Sequence, residues 1–154
     1  MGLHQHEPIL TAGEDLGDAR AAAILIHGRG ASAGSILSLA QRLRRPGLAF
    51  LAPQAAGGTW YPRRFLDPVE LNEPWLSFAL GAVGNVVGMV EEAGVPAEST
   101  LLLGFSQGAC LTLEFVARNA RRSLRQAGAQ ASGRAKAPVA ELETTATRAE
   151  AIAA

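Results

Sequence analysis

Three short runs of this chain are apolar without interruption: "AAAILIH" from Ala21 to His27, "GLAFLA" from Gly47 to Ala52, and "STLLLGF" from Ser99 to Phe105. A strand with one wet face alternates apolar and polar residues, whereas a strand covered on both faces does not. Continuous runs of this length therefore predict buried, parallel strands. Helical patterns fill the intervals. "AGSILSLAQRLR", from Ala33 to Arg44, puts Ile36, Leu39, Ala40 and Leu43 at helical spacing before Pro46 and Gly47 stop it. Pro74 to Ala93 predicts a longer helix, with proline in its first turn and Gly94 at its end. A third helix is expected from Gln107 to about Arg122. Strand alternating with helix selects an α/β fold, a parallel sheet with flanking helices and right-handed crossovers. "HEPILTAGE", near the N-terminus, is a candidate edge strand.

The loop between the third run and its helix is "GFSQG", Gly104 to Gly108. A serine between two glycines, after an apolar strand and before an apolar helix, has the setting of a nucleophile elbow. The glycines are needed because the turn is tight. Ser106 is the candidate nucleophile. The following helix aims its N-terminus at the serine, so the backbone N–H of Gln107 is a candidate oxyanion donor. The loop after the first run, "LIHGRG" from Leu25 to Gly30, occupies the place of a second donor. Glycines on both sides let the backbone N–H of Arg29 approach a substrate oxygen. His27 precedes that donor. It is not expected to be the base, because in this type of fold the base follows the serine.

The segment Pro53 to Trp75 begins past the C-terminal end of the second strand, at the edge where open parallel sheets bind ligands. It holds four of the chain's eight aromatic residues: Trp60, Tyr61, Phe65 and Trp75. Two readings stand for Trp60, Tyr61 and Phe65: a substrate-binding loop, or a small satellite core under a surface loop. For Arg63 and Arg64, solvated charge is a simpler reading than an anion site. Cys110, one helical turn after Ser106, reads as a small buried apolar residue rather than a nucleophile.

Composition narrows the partners. The chain has 154 residues, enough for one domain with its own core. With 14 basic and 14 acidic side chains, net charge is zero, and neither nucleic acid nor an anionic membrane is an expected partner. The longest apolar stretch, Leu76 to Val90, is broken by Asn85 and by glycines, so no stable membrane insertion is expected. One cysteine excludes an intrachain disulfide. With no secretory pattern in "MGLHQHEPIL", a cytoplasmic location is expected. His4 and His6 make an HxH pair without further ligands nearby, and no phosphate-binding or dinucleotide motif is present. No metal and no cofactor are expected.

Four pieces of the sequence carry a family resemblance: "ILIHGRGAS", "LAPQAAGGTWYP", "NEPWLSFAL" and "GVPAESTLLLGFSQGACLTLEF". Through them residues 5 to 122 resemble the phospholipase/carboxylesterase family, small α/β-hydrolases that include acyl-protein thioesterases. GFSQGA is the specific part. The resemblance implies a carboxylic-ester or thioester hydrolase working through an acyl-enzyme on Ser106, with the backbone N–H groups of Arg29 and Gln107 as the oxyanion hole. Its implied partner is a small ester or thioester substrate.

The legible resemblance stops at about Arg122. The family continues with strands carrying an Asp and then a His, but no His or Asp follows Ser106 here. The later carboxylates, Glu114, Glu141, Glu143 and Glu150, stand in no matching context. Residues 1–122 are thus expected to form the N-terminal portion of a hydrolase core, with later strands missing. Residues 123–154, rich in Ala and Arg, are expected to be a disordered or loosely helical tail. A frameshifted or truncated hydrolase of impaired activity is the favoured account, since the tail's bias suits a GC-rich gene read out of frame. The alternative is a non-catalytic module that binds acyl ligands or another subunit. Missing strands would also expose the edge of the strand before Ser106, a route to a homodimer.

Overall fold

The computed structural model describes residues 2–131, with side chains to residue 120. Four strands form one sheet: β1 (Ile9–Gly13), β2 (Ala21–Ile26), β3 (Leu48–Pro53) and β4 (Thr100–Gly104). Their order across the sheet is β1-β3-β2-β4. The three apolar runs are parallel, with Ala22 opposite Ala49 on β3 and opposite Thr100 on β4. The candidate edge strand is present but antiparallel, with Ile9 opposite Pro53. The sheet is therefore mixed, with three parallel strands and one antiparallel edge strand. The link from Gly13 to Ala21 is short, so the chain enters β2 at the end of the sheet where it leaves β1, and the two strands run in opposite senses.

Helices α1 (Ala33–Leu43), α2 (Trp75–Glu92) and α3 (Gln107–Ala131) flank the sheet. Ser32 caps α1: its hydroxyl accepts from the Ser35 N–H, and the Ser35 hydroxyl accepts from the Ser32 N–H, each at 3.1 Å. Two otherwise orphaned donors are satisfied in this way. Helix α3 runs past the expected core–tail boundary at residue 122. The rest of the expected tail lies outside the described residues.

Alternate side chains of each buried strand face opposite layers. Ala22, Ile24, Ile26, Ala49 and Leu51 pack with Val83, Val86 and Val90 of α2 and Leu111 and Phe115 of α3. Ala23, Leu25, Phe50 and Ala52 pack with Ala33, Ile36 and Ala40 of α1. Both faces of β2 and β3 are therefore dry, which is why their sequences do not alternate. Strand β4 pairs only with β2 among the described residues, and Leu101 at its edge is 42% exposed. No helix among the described residues is long and apolar enough to cross a membrane.

The chain beyond β3 is pinned by two buried histidines around Trp60. The ring of Trp60 lies 5.3 Å from that of His4 and 5.1 Å from that of His27. His4 Nδ1 accepts the Ala56 N–H at 3.0 Å, so its Nε2 carries the proton and donates to the Trp60 carbonyl. His27 Nε2 accepts the Ala55 N–H at 3.0 Å, so its Nδ1 donates to the Gly28 carbonyl. Both rings are neutral in this arrangement, since a protonated ring has no acceptor. Burial is the main cause that lowers the affinity of each for a proton; the Trp60 carbonyl and Glu7 only partly offset it at His4. His6, two residues on, is exposed.

A stability change with pH follows. Unfolded histidine titrates near 6.5, and both folded values lie lower. As pH falls through that window the unfolded chain binds more protons than the folded one, so stability is lost. Melting temperature is therefore expected to be level above about pH 7 and to fall between about pH 6.5 and 5, before the carboxylates titrate. Replacing His4 by Gln removes one titrating group and reduces the slope. A melting temperature flat across that window would contradict this account.

Candidate active site

The segment Gly104 to Gly108 is packed tightly against neighbouring backbone. A Cβ built on Gly108 would lie 2.2 Å from the Ile26 carbonyl oxygen and 2.5 Å from that of His27. One built on Gly104 would lie 2.3 Å from the Gly108 carbonyl oxygen. Both positions require glycine, because no backbone atom can retreat cheaply from such contacts. The Phe105 N–H donates to the Ile26 carbonyl at 3.0 Å and carries the β2–β4 pairing one residue beyond β4. The chain must then reverse into α3 within a single residue. That residue is Ser106, whose φ of 52° is the only positive value outside glycine among the described residues. Serine has no glycine-like freedom there, so the conformation is strained and is held by its surroundings. The hydroxyl stands exposed at the tip of the turn.

The loop after β2 abuts this turn. A Cβ on Gly28 would lie 3.1 Å from the Phe105 carbonyl oxygen and 3.3 Å from Ser106 Cβ. Among the described residues, no acceptor takes the backbone N–H of Arg29 or of Gln107. The expected serine and both expected donor residues therefore meet at one end of the sheet. His27 is beside them, but both of its ring nitrogens are engaged by backbone.

Arg29, Tyr61, Phe65, Ser106, Gln107 and Cys110 line an open cleft of roughly 660 Å³. The expected aromatic trio divides. Phe65 is 47% exposed at the cleft, and Tyr61 lies in its lining although only 2% of its surface is open. Trp60, named for the substrate-binding surface, is fully buried and does not line the cleft, so of its two readings the packed core is the one its burial supports. Its indole N–H donates to the His27 carbonyl at 2.8 Å, and a side chain so enclosed packs as core. Cys110 is only half-buried, against the expectation of a buried residue, and burial pushes its thiol up to a weaker acidity. Burial likewise raises the phenol of Tyr61, whose hydroxyl has no partner among the described residues.

Sequence reasoning assigned Arg29 and Gln107 through their backbones and missed their side chains. The Gln107 carboxamide accepts the Trp60 N–H at 3.0 Å and donates to the Tyr61 carbonyl at 2.8 Å. The Arg29 guanidinium donates to the carbonyls of Tyr61, Pro62 and Arg63 at 3.1, 3.0 and 2.8 Å. From the far side, the Asn72 carboxamide accepts the Arg63 N–H at 2.8 Å and donates to the Arg64 carbonyl at 3.2 Å. These long-range partners follow no local periodicity, so no sequence pattern signals them.

Comparison with known proteins identifies the family and the fold. The sequence model of the phospholipase/carboxylesterase family matches residues 12–150, running past Arg122. A phospholipase/carboxylesterase from Dyadobacter fermentans is 45% identical, with a TM-score of 0.72 over 77% of this chain. Esterase PE8 is 25% identical, with a TM-score of 0.54 over 70% of this chain and 54% of its own. A carboxylesterase from Mesorhizobium loti, at 21% identity and a TM-score of 0.53, covers 73% of this chain and 58% of its own, and shares the fold. No curated protein sequence matches. The chain spans 56% of the length of the Dyadobacter fermentans protein. Its mixed four-stranded sheet with flanking helices is part of an α/β-hydrolase fold, and the chain belongs to the phospholipase/carboxylesterase family.

Proposed function

We propose that this chain carries the attacking half of a serine hydrolase for carboxylic esters or thioesters. Ser106 Oγ adds to the substrate carbonyl, and the backbone N–H groups of Arg29 and Gln107 receive the oxyanion. Collapse expels the alcohol or thiol and leaves an acyl-enzyme, which water hydrolyses. The strained Ser106 backbone at the end of a parallel strand carries this reading. Tyr61 and Phe65 flank the substrate, and Trp60 supports them from the core.

Proton transfer is the weak step. His4 and His27 have both ring nitrogens engaged, and no His or Asp follows Ser106 in the sequence. Without a base, the rate that remains comes from the oxyanion donors and binding, about 10³–10⁴-fold over water in serine proteases. Activity of this chain is therefore impaired.

A short-chain nitrophenyl ester assay on the full chain tests the reading. Slow hydrolysis that disappears in Ser106→Ala is expected. Equal rates for both proteins would remove Ser106 as the nucleophile and favour a non-catalytic acyl-binding module. Rates typical of complete hydrolases, with kcat on the order of 10 s⁻¹, would show that a base acts after all.

The elbow also predicts a stability contrast. Gly108→Ala meets the Ile26 and His27 carbonyls and is expected to cost about 3 kcal/mol or more, as overpacking against backbone does. Gly81→Ala, on α2 with open space around it, is expected to gain about 0.5–1 kcal/mol. Urea unfolding of the two variants checks both signs.

A further inference from the structure

The side chains of Arg29 and Gln107 have a task separate from their backbones. Together they make five hydrogen bonds to the segment Trp60 to Arg63, four of them to its carbonyl oxygens. This segment contributes to one wall of the cleft. Pro62, Arg63 and Arg64 are exposed, and no regular structure spans them, so they lack the packing that would hold such a wall. What holds it is the guanidinium fork, the buried Gln107 carboxamide and, from outside, Asn72. The planar guanidinium meets three successive carbonyls at once, which a lysine ammonium cannot reproduce. Gln107 is the first residue of α3 and Arg29 lies in the loop against Ser106, so the wall is tied to the two loops that meet at the serine.

We propose that the Arg29 and Gln107 side chains are positioning residues that lock the Trp60–Arg63 wall onto the elbow and so fix the width and shape of the cleft. The functional half of this proposal rests on the reading of Ser106 as nucleophile; the clamp itself does not. Its chemistry singles out two peptide bonds. The Arg63 carbonyl is held by Arg29, and the Arg64 carbonyl is held by Asn72. Trypsin cleaves after arginine only when that carbonyl is free to enter its oxyanion hole, so each clamp shields its own bond.

Limited tryptic digestion of the full chain, with fragments assigned by mass, provides the test. Native protein is expected to resist cleavage after Arg63 and Arg64. Arg29→Gln is expected to accelerate cleavage after Arg63 by about tenfold, the change in local opening that a lost hydrogen bond produces. Arg29→Lys gives little rescue, and Gln107→Glu, which keeps the acceptor for Trp60 but loses the donor to Tyr61, accelerates the same cut. Cleavage after Arg42, in the last turn of α1 and away from the cleft, is the control for opening elsewhere in the fold and stays unchanged. Unchanged cleavage after Arg63 in both Arg29→Gln and Gln107→Glu would overturn the clamp, as would an equal rise after Arg42.

Titration with benzeneboronic acid, which forms a tetrahedral adduct on a serine hydroxyl, adds a readout that a purely structural role would not move. Binding to native protein, lost in Ser106→Ala and weakened about tenfold in Arg29→Gln at unchanged melting temperature, supports positioning. Native affinity in Arg29→Gln overturns it. If Ser106→Ala binds the boronate as well as native protein does, the nucleophile reading fails, while the tryptic pattern still decides the clamp.

Discussion

The contact on which the rest depends is the one between the first turn of α3 and the end of β2. With no side chain at Gly108, the helix backbone rests directly on the carbonyls of Ile26 and His27. Those two carbonyls are also occupied acceptors: Ile26 takes the Phe105 N–H, and His27 takes the Trp60 indole. One spot of backbone thus fixes the elbow, the helix and the loop after β3. The strain at Ser106 is a consequence. Pairing extends to Phe105, the helix begins at Gln107, and a single residue is left in which to reverse. Strain of this kind persists only where the surroundings over-determine it.

Polar groups do the work here that apolar packing does elsewhere. The loop after β3 approaches the core with its backbone, and each buried donor needs an acceptor. His4 and His27 serve because a neutral imidazole offers one donor and one acceptor at fixed geometry. Gln107 serves for the same reason with its carboxamide. The cost is rigidity of protonation state: each imidazole is useful only while uncharged. The Tyr61 hydroxyl is the exception, buried with no partner among the described residues, and its burial rests on the ring's packing instead.

The parts of this fold set by local pattern were legible in the sequence, and the parts set by long-range polar contact were not. Continuous apolar runs located β2, β3 and β4 to within a residue or two, because burial on both faces writes itself into composition. The elbow was legible because glycine is the only solution to its sterics. The direction of β1 was not, since a half-exposed strand looks alike in either sense and only the length of its link decides. Trp60 stood between two readings because large aromatic residues suit a core and a binding surface equally; the deciding contacts come from His4, 56 residues away, and from His27. The side-chain roles of Arg29 and Gln107 were hidden for the same reason.

The geometry of attack and the transfer of its proton are separable, and the two buried imidazoles show why. For His27 to serve Ser106, Nε2 must release the Ala55 N–H, stranding a buried donor at a cost of about 1–3 kcal/mol. The ring must then accept a proton in a site whose burial already disfavours the charged form. Both penalties oppose catalysis, and His4 faces the same pair through Ala56. His27 is therefore held as a neutral donor and acceptor for the backbone rather than as a base. Ser106 is exposed, and the outer edge of β4 beside it is unpaired among the described residues. On the proposed reading, the strained turn positions the Ser106 hydroxyl, and backbone strain by itself does not raise the electron density on its oxygen, so activation has to come from a separate group.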